Sequence, residues 1–240
     1  MNPAPPVTSI CFDINYLFII VVFNLLENKY YMKFEHDDIL IIGDSFCRTR
    51  DIADSWPYIV YKRLTGSEGI PRGYGFSGCA WWSIRQLLLQ EIAICKPKVL
   101  ILCHTEPNRI PNELNAGMNF TSIEKDEVFA TNIPIDPIKL QKLSKAGKLY
   151  YEELFMFEFQ RWAELAWFRE LDQLLDHCKI PHVVHLHCFN NDYVFKNGHT
   201  YTKILSNMCS NSPDCPGINH FTPEENRYLG QEVVRIVLGN

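Results

Sequence analysis

The sequence predicts an α/β domain in three layers, a mostly parallel central sheet between two sets of helices, and three observations carry that prediction. Ile39–Ile42 and Val99–Cys103 are apolar without alternation, so both faces of each strand must be covered, as in a parallel sheet. Stretches with helical spacing separate and follow these runs. Polar residues crowd the carboxyl end of each run, Asp44-Ser45 after the first and His104 to Arg109 after the second. In open α/β sheets ligands bind beyond those ends.

At 240 residues the chain is long enough for one such domain with a buried core. Apolar residues at 47% and charged residues at 21% exclude wholesale disorder. A formal charge of -5 with no basic run argues against nucleic acid as a partner. The nine cysteines are odd in number and show no Cys-x-x-Cys spacing, so neither a zinc site nor a redox pair is expected. Cys95, Cys103, Cys178 and Cys188 lie in apolar contexts and act as small hydrophobes. Cys209 and Cys215, in a polar loop, are the one pair worth testing for a disulfide, two separate loop thiols being the leading reading.

Residues 1–31 differ from the rest. Tyr16 to Leu26 is too short to span a bilayer, so no integral membrane span is expected. As a signal peptide it has its first basic residue, Lys29, on the wrong side, and no small-residue cleavage site follows. The leading expectation is that Met32 is the true start and the domain occupies 32–240. A signal or anchor is the second reading and an added packed strand the third. The cytoplasm is the expected location under the first, secretion or anchoring under the second.

Asp38 to Phe46 reads as a buried strand that delivers Ser45 to a site. Asp51 to Leu64 has an acid-rich opening turn and ends near Thr65-Gly66, which marks a helix. Gly69 to Gly78 holds four glycines in ten residues and leads into a helix over 79–95, with Trp81, Ile84, Leu87, Leu88 and Ile92 on one face. A glycine loop opening a helix is an anion cradle, but this one matches neither a Walker loop nor a dinucleotide fingerprint. Residues 108–148 are rich in Pro, Asn, Asp and Ser without a sustained period, so a lid over the site is expected there. Leu149 to Cys178 reads as one long helix, its aromatic-rich first half divided between core and a substrate-facing wall.

Pro181 to Phe189 is the next inner strand. His185 and His187 share one of its faces; a zinc site would need a third ligand at motif spacing, and satisfied histidines near the strand end are the alternative. Residues 189–215 form a loop-rich insertion. Thr222 then caps a last helix, with Pro223 at its first position and Glu225 completing a capping box. His220 lies two residues before that cap.

Gly43-Asp-Ser-Phe46 resembles the first block of the GDSL, or SGNH, hydrolase family, whose serine is the nucleophile. The turn ending at Gly78 resembles the second block, whose glycine N–H binds an oxyanion. His220-Phe-Thr-Pro-Glu-Glu-Asn226 resembles the block that carries the family's histidine. The third block departs from the pattern: Thr105 and Glu106 stand where the family has an asparagine and its neighbour, with Asn108 further on. The family's aspartate, three residues before the histidine, is here Gly217. The resemblance implies an SGNH-type three-layer fold of the flavodoxin-like kind and a serine ester hydrolase, with Ser45 as nucleophile and His220 as base. Asp214 would orient the imidazole, or a backbone carbonyl or Asn219 would do so. Backbone N–H groups of Ser45 and Gly78, with Asn108 or Thr105, would hold the oxyanion. Arg109 and Asp44 are candidate substrate contacts, and Arg72 a further one for an acidic group. The implied substrate is a small-molecule or carbohydrate ester, with an acetyl group as one candidate; no cofactor and no metal are expected. The alternatives are an O-acyltransferase using the same pair and a binding protein that keeps the fold without turnover.

Overall fold

The computed structural model describes residues 34–48, 54–76, 79–109, 111, 136–209 and 220–239. The chain divides into Met1–Lys33 and Phe34–Asn240, and every described residue lies in the second unit. The expectations for residues 1–31, for Cys215 and for most of the lid fall outside the described residues.

Five strands, β1 (Ile39–Asp44), β2 (Arg72–Phe76), β3 (Val99–His104), β4 (His182–His187) and β5 (His199–Thr200), form one sheet in the order β2-β1-β3-β4-β5. All four pairings are parallel. The α-helices among the described residues are α1 (Trp56–Thr65), α2 (Trp81–Ile94), α3 (Pro137–Glu153), α4 (Phe157–Cys178) and α5 (Pro223–Leu238).

Because successive strand residues point to opposite faces, β1 and β3 each feed two cores. Ile39, Ile41, Val99 and Ile101 pack with Trp56 and Val60 of α1 and with Leu229 and Val233 of α5. Leu40, Ile42, Leu100 and Leu102 pack on the other side with Ile84 and Leu88 of α2 and with Phe168 and Leu171 of α4. Each such side chain, taken fully out of water, contributes about 2 kcal/mol. This is the three-layer α/β/α sandwich that the unalternated runs require.

Three segments differ from the sequence reading. The glycine-rich stretch is not all loop, because Arg72–Phe76 is an edge strand paired with β1. Its glycines permit close approach: a Cβ on Gly75 would lie 2.5 Å from backbone atoms of Cys47 and Arg48. The stretch expected as lid turns helical at Pro137, where Asp136 accepts from the Ile138 N–H and Pro137 takes the first position. That pairing is a helix-start signal within a stretch whose prolines otherwise read as loop punctuation. The single helix expected over 149–178 is interrupted at Leu154 to Met156, which separates α3 from α4.

Candidate active site

The strand order reverses direction between β1 and β3, so the crevice at their carboxyl ends is where this topology leaves room for a ligand. β1 ends at Asp44, and Ser45–Cys47 form one turn of 3₁₀ helix. The Asp44 carboxylate accepts from the Phe46 N–H at 3.0 Å and so caps the turn. Gly43 is required immediately before it, because a Cβ there would meet the Cβ of Cys103 at 2.4 Å. The local sequence therefore projects Ser45, half-buried, above a strand that is pinned against its neighbour.

Asp44 is completely buried, and its other oxygen accepts from Arg109 Nη1 at 3.1 Å. Arg109 is 6% exposed, donates also to the Cys79 carbonyl at 3.4 Å and to Glu106 at 3.1 Å, and lies over the Phe189 ring. Cys188 at the end of β4 donates to Asp44 as well. The two residues expected at the substrate thus hold one another, and through that pair they tie the ends of β1, β3 and β4 together. Arg72 is corrected more simply. It opens β2 at the amino edge of the sheet, bonded to Glu91 and Asp37, away from Ser45.

His220, 175 positions from Ser45, meets it: Ser45 Oγ to His220 Nε2 is 2.8 Å. Its backbone is left-handed at φ 62°, a region that non-glycine residues enter at some cost and that collects at functional sites. The following residues hold it there. Phe221 is buried, Thr222 and Glu225 exchange the two bonds of the expected capping box, and α5 starts at Pro223. The imidazole packs against Phe46, ring centroids 4.7 Å apart. Desolvation by these neighbours lowers its pKa below the ordinary histidine value, Arg109 adding to the shift and Asp44 opposing it.

Two residues that the sequence reading did not single out connect the serine turn to the histidine loop. Asn226 of α5 accepts from the Trp56 N–H at 2.9 Å and donates to the Phe221 and Thr222 carbonyls. Trp56 in turn donates from its indole to the Phe46 carbonyl at 2.7 Å. Both are buried. Asn226 stands in the stretch that resembles the histidine block, so its type and position were visible in the sequence; its partner on α1 was not.

At the end of β3, Thr105 is buried and its hydroxyl has no partner among the described residues. The Asn108 side-chain oxygen is likewise buried and unpartnered, and its backbone carbonyl accepts from Tyr151 of α3. Gly78 and Asp214 lie outside the described residues. No bond to His220 Nδ1 is found among the described residues.

A second group of histidines lies deeper. His104 pairs in register with His187, and His185 shares their sheet face. His185 donates from Nε2 to the Asn197 carbonyl at 2.9 Å, which leaves Nδ1 to accept from His104 Nε2 at 3.0 Å. His187 Nε2 donates to the Tyr193 carbonyl, and its Nδ1 is buried without a partner. Phe195 stacks on His185, ring centroids 3.6 Å apart. Burial lowers all three pKa values, that of His185 to about 4. With these bonds in place the set binds backbone and aromatic rings. Among the described residues no group of three or more His, Cys, Asp or Glu is arranged to hold a metal ion. No described helix is long and apolar enough to cross a membrane.

No family model and no curated protein matches the chain. Among solved structures it is similar to a protein of Desulfitobacterium hafniense DCB-2 assigned provisionally to the G-D-S-L family of lipolytic proteins. The identity is 15%, the TM-score 0.34, and the match covers 82% of this chain and 98% of the other. At that overlap the likeness adds nothing to what the strand order and the site geometry establish by themselves.

Proposed function

We propose that this protein is a serine ester hydrolase in which Ser45 is the nucleophile and His220 the general base. The reading rests on one observation, the 2.8 Å contact between Ser45 Oγ and His220 Nε2 at the carboxyl edge of β1. A serine hydroxyl is a weak nucleophile near neutral pH unless a base removes its proton during attack. For Nε2 to take that proton, the ring proton stands on Nδ1. The lowered pKa of His220 keeps the ring neutral, and so able to act, into mildly acidic solution.

In the forward half-reaction Ser45 Oγ bonds to the ester carbonyl carbon while its proton passes to His220. The tetrahedral intermediate then expels the alcohol, which takes the proton back from Nε2. Water attacks the resulting acyl-serine by the same route and leaves a carboxylic acid. The oxygen that becomes negative needs donors, each worth about 3 kcal/mol. The Thr105 hydroxyl, buried without an acceptor of its own, supports the choice of Thr105 as one. The backbone N–H groups of Ser45 and Gly78 and the Asn108 amide complete the proposed set. Asp214 keeps its proposed role at Nδ1. Asp44 and Arg109 act on the substrate indirectly, through the turn that they hold.

Fluorophosphonate labelling followed by peptide mapping tests the assignment. Adduct formation on Ser45, lost in His220→Asn, is the expected result; a chain that stays unlabelled while a control esterase reacts would sink it. Acetyl ester hydrolysis, run with and without a carbohydrate acceptor, then separates hydrolysis from acyl transfer.

A further inference from the structure

We propose that the outer face of α3 and the turn into α4 dock a second copy of this chain, the two α3 helices running antiparallel. On α3, Ile138, Lys142, Lys145, Leu149 and Glu152 follow one another at alternating steps of four and three, which places them on one side of the helix. All five are exposed. The opposite side faces the protein: Gly147 is buried, Leu143 and Tyr150 are half-buried, and Tyr151 reaches the Asn108 carbonyl.

Along the chain, the outer stripe leads into a run of exposed apolar residues. Leu149, Leu154, Met156, Phe157, Phe159 and Trp162 are each between 50% and 67% exposed. Single exposed apolar residues need no explanation, but six within the fourteen residues 149–162 mark an interaction surface.

Charge identifies the occupant. Read from its amino end, the stripe and its flank are basic at Lys142, Lys145 and Lys148 and acidic at Glu152 and Glu153, with Glu158 beyond the turn; Lys148 and Glu152 pair loosely with one another at 4.0 Å. Among the described residues Lys142, Lys145 and Glu153 make no ion pair within their own chain. A basic half followed by an acidic half is complementary to itself when inverted, which is the geometry of a two-fold interface. With the axis beside Leu149, Lys145 of one copy faces Glu152 and Glu153 of the other, and Ile138 lies towards the other's apolar turn. An anionic lipid surface would be attracted by the lysines and repelled by the three glutamates that border the aromatic residues, whereas an inverted second copy satisfies both halves, so a second copy fits better than a membrane.

Sedimentation velocity on the full chain, over about a hundredfold range of concentration, tests the proposal. The wild type is expected to reach twice the mass of one chain. Lys142→Glu with Lys145→Glu turns the stripe predominantly acidic, and Glu152→Lys with Glu153→Lys turns it predominantly basic. Each variant alone is expected to remain a monomer, and an equimolar mixture of the two to recover the dimer. Phe157→Ser with Trp162→Ser is expected to abolish association; should that variant lose its circular dichroism spectrum, the charge pair still decides. A monomeric wild type, a dimer indifferent to both reversals, or a mixture that fails to associate would each overturn the proposal. So would pelleting of a monomeric wild type with phosphatidylserine vesicles that Phe157→Ser with Trp162→Ser removes.

Discussion

His220 and the trio His104, His185 and His187 hold the same side chain in two settings, a loop beyond the sheet and the strands of the sheet itself. Desolvation lowers the pKa in both places. The difference lies in what the nitrogens meet. His185 and His187 spend Nε2 on backbone carbonyls, and His104 spends its own on His185, so these rings fasten loops to strands. His220 stands on a loop in a left-handed backbone, open to solvent, with Nε2 against a hydroxyl. A shifted pKa by itself therefore does not distinguish the two settings; the partner of each nitrogen does.

The contrast breaks most sharply in activity. Ser45→Ala, or His220→Asn, which tolerates the left-handed backbone, is expected to cut ester hydrolysis on the order of 10⁴-fold while leaving the thermal midpoint nearly unchanged. Replacement of His185 by Ala should do the reverse, lowering the midpoint and sparing turnover in the molecules that stay folded. Parallel melting curves and p-nitrophenyl acetate assays would show whether the two behaviours separate.

A second break falls on the ion pair beneath the serine. Arg109→Met leaves the Asp44 carboxylate buried without its cation and is expected to cost about 3–5 kcal/mol, read by urea unfolding. Adding Asp44→Asn should restore much of it. A double variant no more stable than the single one would show that the pair matters for packing and not for charge.

Acid sharpens the comparison. The unfolded chain's histidines titrate near pH 6.5, whereas the folded trio resists protonation, His185 down to about 4. Above pH 6.5 the trio is neutral in both states and the histidine contribution to stability is full. Between pH 6.5 and 4 the unfolded chain takes up protons that the folded chain refuses, so stability falls, by about 3 kcal/mol from His185 alone. Glu164 of α4, buried with one oxygen unpartnered, is raised to about 8 and works in the other direction. Its contribution is greatest in acid and is lost as pH rises from its unfolded value towards 8, so Glu164→Gln should remove that slope. Calorimetric midpoints from pH 4 to 9 would resolve the two limbs.

The smallest expected effect belongs to the connection between the two loops. Asn226→Ala leaves the Trp56 N–H without its acceptor and should cost about 1–3 kcal/mol. It should also lower kcat more than it raises KM, because it loosens His220 relative to Ser45. Unchanged kcat in a destabilised variant would make Asn226 a structural residue only.

Apolar runs at Ile39–Ile42 and Val99–Cys103 determined the buried parallel strands, since unalternated hydrophobicity has only one way to be covered on both faces. Thr222, Pro223 and Glu225 likewise determined where the last helix begins, because a capping box is satisfied within four residues of chain. Both are local or nearly local facts. Arg72–Phe76 escaped because its glycines read as loop until β1 lay beside them, and Asp44 read as a substrate contact until Arg109 was seen to cover it. Whether a hydroxyl at 45 and an imidazole at 220 meet was not written in either neighbourhood. That was decided by strand order, by Asn226 bridging α5 to α1, and by the close seat that Gly43 allows against β3, because contacts across the chain are fixed only when the layers pack.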